Sequence, residues 1–156
     1  MHDNSSDHQR TTRAISLHRV LRAPPSVVFT AFIDPVAICR WSPPYGFLAE
    51  MHEHEVKVGG KHRMSFRNFR TGAVHSFGGE FLEIIPDERL VYTDRFDDEA
   101  LQGELKVTVI LKKVACGSEL FVTQENIPAI IPLEMCYLGW QESLSQLQKL
   151  VEVEIP

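Results

Sequence analysis

The chain has 156 residues, of which 44% are hydrophobic and 24% are charged. This is the composition of an ordinary globular protein, and the length suits one domain better than two. The formal net charge is −5, with acidic and basic residues interspersed. Because nucleic-acid binding normally requires a basic stripe, we expect no nucleic acid among the partners.

The first twelve residues and the cysteines bear on the compartment. Residues 1–12 are polar and lack the apolar segment of a signal peptide, and no stretch reaches the roughly 18 apolar residues of a spanning helix. The cysteines Cys39, Cys116 and Cys136 are odd in number and far apart, which disfavours a disulfide framework or a Cys-x-x-Cys motif. We expect a cytoplasmic protein without membrane insertion, with a flexible tail over residues 1–12 and a single domain over residues 13–156.

The first third of the domain combines one strand with two short helices. Partial alternation of apolar residues predicts a strand over residues 13–22. Residues 23–26 contain two prolines, which cannot continue a strand ladder but fit the first turn of a helix. Asp34 precedes another proline and is expected to cap a second short helix that ends at Trp41. A proline-rich loop over residues 42–46 follows.

From Phe47 onward the apolar period changes to two, which indicates strands. Six further strands are predicted, over residues 47–58, 61–70, 74–85, 90–96, 103–114 and 119–127. Their connections are short, and short connections join antiparallel neighbours because a parallel crossover needs a dozen or more residues. A helix of about six turns is then predicted from Leu133 to Glu154, with one apolar face.

The order of these elements favours an α+β fold. A twisted antiparallel sheet of seven strands must cover its apolar face, and the C-terminal helix is the available cover. A sheet of this width curls as it twists, so its concave face can wrap a helix without filling all the space. We therefore predict a curved seven-stranded sheet around a long C-terminal helix, with two short helices after the first strand and a cavity between sheet and helix.

Alternation along the strands assigns residues to this cavity. The predicted ligand-binding residues are Met64, Phe66, Asn68, Phe77, Phe81, Tyr92, Val107, Val109, Val122, Gln124, Tyr137, Trp140 and Leu144. The predicted cavity mouth consists of Pro43, Tyr45, Phe47, Ile127 and Ile131. For the aliphatic members the alternative is a filled core, because buried apolar residues normally pack without voids. The polar members are more informative, since burying an unpaired polar group costs about 1 to 3 kcal/mol.

Patterns typical of metal sites and catalysis are weak. The His52-Glu53-His54 segment would place both imidazoles on one side of a strand, with His62 or His75 as a third ligand, but an isolated His-x-His is a weak signal. A Gly-x-Ser-x-Gly elbow and a glycine-rich phosphate loop are both missing from the sequence. We expect no metal, no cofactor and no catalytic residue.

The chain also resembles a known family from about Arg13 to Val151. The motifs that carry the resemblance are, in order, Arg22-Ala23-Pro24 with Val28-Phe29 and Phe32, Asp34-Pro35 with Trp41, Val58-Gly59-Gly60, Gly79 to Ile84 with Pro86, Arg89 to Thr93, and Gly139-Trp140 with Leu144 and Leu147. It is similar to the activator of heat-shock-protein ATPase homologue family, a branch of the START-related or SRPBCC superfamily. The resemblance implies the helix-grip fold and a superfamily of lipid carriers, polyketide cyclases and chaperone-binding domains.

Three functions follow as expectations. The first is binding of a small hydrophobic or amphipathic molecule, such as a lipid, in the cavity. The alternative is an interaction protein for a chaperone ATPase, with a role in the stress response. A cyclase or hydrolase that uses Asn68, Tyr92 or Gln124 to polarise a carbonyl ranks last. We expect a monomer or a homodimer.

Overall fold

A computed structural model describes residues 13–156, so the tail predicted over residues 1–12 lies outside the described residues. The predicted α+β helix-grip fold is confirmed. The elements in chain order are β1 (Ile15–Leu21), α1 (Pro25–Ile33), α2 (Pro35–Trp41), β2 (Phe47–His54), β3 (Lys61–Asn68), β4 (Val74–Ile85), β5 (Arg89–Phe96), β6 (Leu105–Val114), β7 (Gly117–Glu125) and α3 (Leu133–Val151). A single 3-10 turn, Glu99–Leu101, interrupts the acidic connection between β5 and β6.

The seven strands form one antiparallel sheet in the order β1-β7-β6-β5-β4-β3-β2. Strands β2 to β7 are a meander, as their short connections predict. Strand β1 pairs with β7, so that Ile15 lies opposite Gln124 and Leu21 lies opposite Ser118. Helices α1 and α2 therefore span the distance from one edge of the sheet to the other, which places them next to the concave face.

Several elements end before the residue that the sequence predicts. Strand β2 ends at His54 instead of Val58, because the chain turns through Gly59, whose φ is 83°. Strand β7 ends at Glu125, before Asn126 with a φ of 62°. Helix α3 ends at Val151, and the next residue, Glu152, accepts a hydrogen bond from the backbone N–H of Arg22 at 2.7 Å. Within residues 13–156 none of the helices is long and apolar enough to span a membrane.

The core lies mainly on the part of the concave face formed by β1, β7 and β6. Helix α3 makes its backbone contacts with β1, α1 and α2, and α1 also contacts β6 and β7. Leu144 and Leu147 of α3 are at most 1% exposed, as are Val107 and Val122 of the facing strands. Each such burial stabilises the fold by about 1.5 to 3 kcal/mol. Of the strands β2 to β5, Phe81 of β4 and Leu90 of β5 also belong to this core.

Candidate ligand-binding site

A cavity of about 360 Å³ lies between the curved half of the sheet and helices α2 and α3. This volume is within the range of small-molecule pockets in proteins. Its walls are mostly apolar and aromatic, and include Phe32, Trp41, Pro44, Phe47, Met51, Met64, Phe66, Phe77, Phe81, Tyr92, Phe96, Leu105 and Trp140. Polar groups are few, and the main ones are His54, His62, His75, Asp94 and Gln124.

The cavity has a buried inner end and an exposed rim. Phe32, Trp41, Phe81 and Leu105 are at most 5% exposed and mark the inner end. His75 is exposed and lies with its ring centroid 6.2 Å from that of Phe47, so this pair lies at the rim. A ligand would therefore enter beside the start of β2 and the start of β4.

Aromatic rings line the passage between rim and inner end. Phe66 and Phe77 meet edge to face with centroids 4.8 Å apart, and Phe77 meets Phe96 in the same way at 6.1 Å. Edge-to-face pairs fix the ring orientations because each ring edge faces the electron-rich surface of its neighbour. These three residues, on β3, β4 and β5, form an apolar wall for a flat or extended molecule.

Trp41 anchors the corner between the two short helices. Its indole Nε1–H donates to the carbonyl of Ala31 at 2.8 Å, and its ring meets Phe32 edge to face at 4.8 Å. Asp34 begins α2 as its N-cap, because its Oδ1 accepts hydrogen bonds from the N–H groups of Val36 and Ala37. The ring of Trp41 also forms part of the cavity wall.

Helix α3 presents bare backbone to the cavity at Gly139. A Cβ atom built there would meet no atom within 4 Å. Glycine in the middle of a helix costs about 0.5 to 1 kcal/mol relative to alanine, and here it leaves room in the cavity. Ser143, one turn later, donates to the carbonyls of Gly139 and Ser42, which holds the helix against the loop after α2.

Gly79 on β4 allows a side chain of β3 to contact the backbone of β5. A Cβ atom at Gly79 would lie 2.1 Å from the carbonyl oxygen of Thr93, so only glycine fits. His62 lies opposite Gly79 in the β3–β4 register, and its Nε2 reaches over the glycine to the same carbonyl at 2.8 Å. The missing side chain of Gly79 thus determines where the imidazole of His62 is held.

The contact with Thr93 also determines the tautomer of neutral His62. A carbonyl oxygen can only accept, so Nε2 must carry the hydrogen and Nδ1 must carry a lone pair. That Nδ1 lies 4.0 Å from Oδ1 of Asp94, too far for a direct hydrogen bond. Asp94 Oδ1 is buried and has no hydrogen-bond partner among the described residues.

His54 repeats this arrangement next to His62. Its Nε2 lies 2.6 Å from the carbonyl oxygen of Ile33, so Nε2 carries the hydrogen in the neutral ring. Its Nδ1 is buried and lacks a partner among the described residues. His54 pairs with His62 in the β2–β3 register, and both rings contact Phe81.

Burial changes the acidity of this group. It raises the pKa of Asp94 to about 7, because the carboxylate loses its hydration. It lowers the pKa of His62, and the nearby His54 adds to that effect. Burial also raises the pKa of Tyr92, with a further contribution from Asp94. Burial therefore shifts each of these groups toward its neutral form.

The two histidines of the His52-Glu53-His54 segment lie on opposite faces of the sheet, contrary to the sequence interpretation. A register shift between Met51 and Glu53 is the cause. His52 contacts Ser65 Oγ at 2.7 Å, on the face opposite the cavity, whereas His54 lines the cavity. Within residues 13–156 no group of three His, Cys, Asp or Glu side chains is arranged to hold a metal ion.

Comparison with known proteins identifies the family. The sequence pattern of the family described as Activator of Hsp90 ATPase homolog 1-like protein matches residues 22–152. The chain belongs to this family. The resemblance read from the sequence is therefore confirmed. Among curated proteins no significant match was found.

Solved structures of similar proteins share the fold of this family member. An X-ray structure of a Chromobacterium violaceum protein is 51% identical, with a TM-score of 0.89 over 90% of this chain and 98% of that one. The AHSA1 protein from Silicibacter pomeroyi is 19% identical, with a TM-score of 0.80 over 92% of this chain and 100% of that one. The AHSA1-like protein from Aeromonas hydrophila is 21% identical, with a TM-score of 0.74 over 90% and 92% of the two chains.

The structure brings part of the predicted ligand-binding set together at the cavity. The predicted residues that line it are Met64, Phe66, Phe77, Phe81, Tyr92, Gln124 and Trp140, together with Phe47 of the predicted mouth. That they contact a ligand stays a prediction.

The other predicted residues lie elsewhere. Val107, Val109 and Val122 face inward and, with Leu144 of α3, belong to the filled core, since all four are at most 1% exposed. Asn68 caps the turn after β3, where its Oδ1 accepts from the N–H groups of Arg70 and Thr71. Tyr137 lies on the exposed side of α3.

Four of the five predicted mouth residues are not part of the cavity wall. Pro43 is buried, and its carbonyl accepts from Gln146 Nε2 at 2.7 Å. Tyr45 is exposed next to Pro44, which takes its place on the cavity wall. Ile127 is buried in the core and Ile131 packs against it. The guanidinium of Arg13 donates to the carbonyls of both, so this segment is fastened to the start of β1.

Asp94 and Gly139 of the site were missed by sequence reasoning, and His54 and His62 were considered only as metal ligands. Asp94 follows Tyr92 by two positions and His62 precedes Met64 by two, so the alternation that selected Tyr92 and Met64 could have found both. Gly139, a glycine inside an apolar helical pattern, was also a signal. No sequence signal placed His54 in the cavity, because its orientation depends on the bulge in β2.

Proposed function

We propose that this protein binds a small hydrophobic or amphipathic molecule in the cavity between the curved sheet and α3. One observation carries the proposal: an apolar cavity of about 360 Å³ remains next to a well-packed core, with helix backbone open to it at Gly139. Interiors of proteins normally contain few voids larger than a water molecule. A cavity of this size, with aromatic walls and few polar groups, fits a ligand of two fused or linked rings.

Apolar burial supplies most of the binding energy in this proposal. A two-ring ligand that buries about 250 Å² of apolar surface gains about 6 kcal/mol. Association costs several kcal/mol of translational and rotational freedom. Apolar contact by itself therefore gives weak binding, and micromolar affinity, about 8 kcal/mol, requires polar contacts as well.

A fluorescent titration with the neutral probe N-phenyl-1-naphthylamine tests the proposal. We expect saturable binding to the wild type and a loss of at least about tenfold in affinity in Gly139→Leu, because the new side chain occupies the cavity. Tyr137→Leu is the matched control, since it adds the same side chain to the exposed side of the same helix and should leave binding unchanged. Replacing a helical glycine also favours the helix, so lost binding would not reflect unfolding.

Two results would contradict the proposal. One is equal probe binding by Gly139→Leu and the wild type. The other is the failure of every apolar compound in a thermal-shift screen to raise the melting temperature, because a ligand that binds only the folded state must stabilise it.

The second candidate function is interaction with a chaperone ATPase, for which the family description is the supporting observation. Tyr45, Met135 and Leu138 are apolar side chains with 51% to 59% exposure, and the backbone N–H of Tyr45 donates to Glu142, one turn after Leu138 on α3. We expect Leu138→Glu to abolish capture of purified Hsp90 and any change in its ATPase rate, and Gly139→Leu to retain both. An unchanged Hsp90 ATPase rate with the wild type would exclude this function. The cytoplasm as the compartment, and a monomer or homodimer, remain predictions.

A further inference from the structure

Of the three buried side-chain atoms on the cavity wall that lack a partner among the described residues, Nδ1 of His54 and Oδ1 of Asp94 can serve as acceptors, and the remaining one is the hydroxyl oxygen of Ser42. Neutral His62 and His54 each use Nε2–H on a backbone carbonyl, which leaves the lone pair of Nδ1. Asp94 Oδ1 is a third acceptor. The Nδ1 of His54 and the Oδ1 of Asp94 are buried without a partner among the described residues. A buried acceptor without a donor costs about 1 to 3 kcal/mol, so this part of the cavity favours a ligand that brings donors.

We propose that the cavity selects ligands with a hydrogen-bond donor, a hydroxyl or an amine, at one end of an apolar body, and that this donor binds between Asp94 Oδ1 and His62 Nδ1. The inference rests on the proposed function and specifies the ligand class of the same site. It assigns the apolar body to the aromatic wall of Phe66, Phe77 and Phe96.

The distance between the two acceptors suits such a group. They lie 4.0 Å apart, so a single oxygen or nitrogen atom can lie about 2.8 Å from both. A protonated amine can donate to both atoms at once. A hydroxyl can donate to His62 while it accepts from protonated Asp94, a form that is well populated because burial raises the pKa of this acid to about 7.

The same geometry disfavours an anionic ligand once Asp94 is ionised. A ligand carboxylate has only acceptor atoms at neutral pH and would then meet the lone pair of His62 and the carboxylate of Asp94. No side chain of Lys or Arg lines the cavity within the described part of the chain. The aromatic rings of Phe81 and Tyr92, each 5.3 Å from the ring of His62, keep the surroundings apolar and strengthen both the attraction and the repulsion.

Four compounds with one apolar body and different ends test this selectivity. They are 4-phenylphenol, 4-phenylbenzylamine, 4-methylbiphenyl and 4-phenylbenzoate, measured by competition with N-phenyl-1-naphthylamine at pH 7.5. We expect the phenol and the amine to bind at least about tenfold more tightly than the methyl compound, the effect of one good hydrogen bond, and the benzoate to bind least.

Variants then test whether Asp94 is responsible. In Asp94→Leu the phenol and the amine should fall to within about threefold of 4-methylbiphenyl, whose own affinity should be retained. Glu99→Leu is the matched control, because it replaces an exposed carboxyl outside the cavity with the same side chain and should leave the preference unchanged. Circular dichroism and thermal unfolding confirm that each variant is folded.

The binding results distinguish a failure of the inference from a failure of the proposed function. If all four compounds bind with similar affinity, the inference is overturned and the proposed function stands. A preference for the phenol and the amine that persists in Asp94→Leu overturns the assignment to Asp94. If none of the compounds binds to the wild type, the proposed function fails, and the inference fails with it.

Discussion

The two halves of the concave face have the same backbone architecture and different contents. The half formed by β1, β7 and β6 carries mainly Leu, Val and Ile side chains, which pack in one core with residues of α1 and α3. The half formed by β2 to β5 carries most of the Phe, His and Met side chains that line the cavity, together with Tyr92 and Asp94. Aliphatic side chains can interdigitate with a helix, whereas rings held edge to face leave space between them. One half of the sheet therefore stabilises the fold while the other half provides the site.

The largest expected difference between the two halves is the loss of stability when a large side chain in each is replaced by alanine. Leu144→Ala should lower the free energy of unfolding by about 3 kcal/mol, because Leu144 is 1% exposed and its loss leaves a cavity in a packed core. Phe77→Ala removes a larger side chain but enlarges space that already exists, so the loss should be smaller. Chemical denaturation of both variants measures the difference. An equal or larger loss in Phe77→Ala would mean that both halves are packed alike.

A second prediction concerns Gly79, where β4 and β5 approach each other closely. Gly79→Ala places a Cβ atom 2.1 Å from the Thr93 carbonyl oxygen, which should separate β4 from β5 and displace His62. We expect a loss of about 2 kcal/mol, typical of overpacking, and weaker probe binding. Thermal unfolding and probe titration measure the two effects.

The control for this variant is Gly139→Ala, where the new Cβ atom meets nothing within 4 Å. That substitution should stabilise the protein by about 0.5 to 1 kcal/mol, because alanine favours a helix over glycine. If Gly79→Ala were as well tolerated as its control, the close approach of the two strands would not require glycine.

The sequence predicts the sheet, the helix and the inward-facing residues better than it predicts the site. Alternation correctly turns Val107 and Val122 inward, but which inward residues meet the helix depends on how the sheet curls, and residue periodicity does not encode that. Asn68 illustrates a second limit, because an asparagine at the end of a strand can satisfy its own turn instead of facing inward. A bulge reverses the side of His54, and alternation cannot anticipate it.

The last prediction concerns the pH dependence of stability. The buried carboxyl of Asp94 lies in the cavity half of the sheet and should make the stability of the protein depend on pH. Burial raises the pKa of Asp94 to about 7 from an ordinary value of 3.8, so the folded state holds this proton more tightly than the unfolded state. The contribution of Asp94 to stability is therefore full below about pH 4 and is lost as the pH rises to about 7. Asp94→Asn cannot ionise and should not show this loss. At pH 8 the variant should be more stable than the wild type by about 1 to 2 kcal/mol, with little difference at pH 4.

Denaturant unfolding of both proteins at intervals between pH 4 and pH 8 measures this difference. Two titratable groups face Asp94, His62 from β3 and Tyr92 from its own strand, and both are present in both proteins. The difference between the two curves therefore isolates Asp94. Glu99→Gln, which removes an exposed carboxyl outside the cavity, should retain the wild-type curve. Parallel curves for the wild type and Asp94→Asn would mean that this carboxyl is hydrated, and the cavity would then lack the buried acceptor that distinguishes it from the aliphatic half.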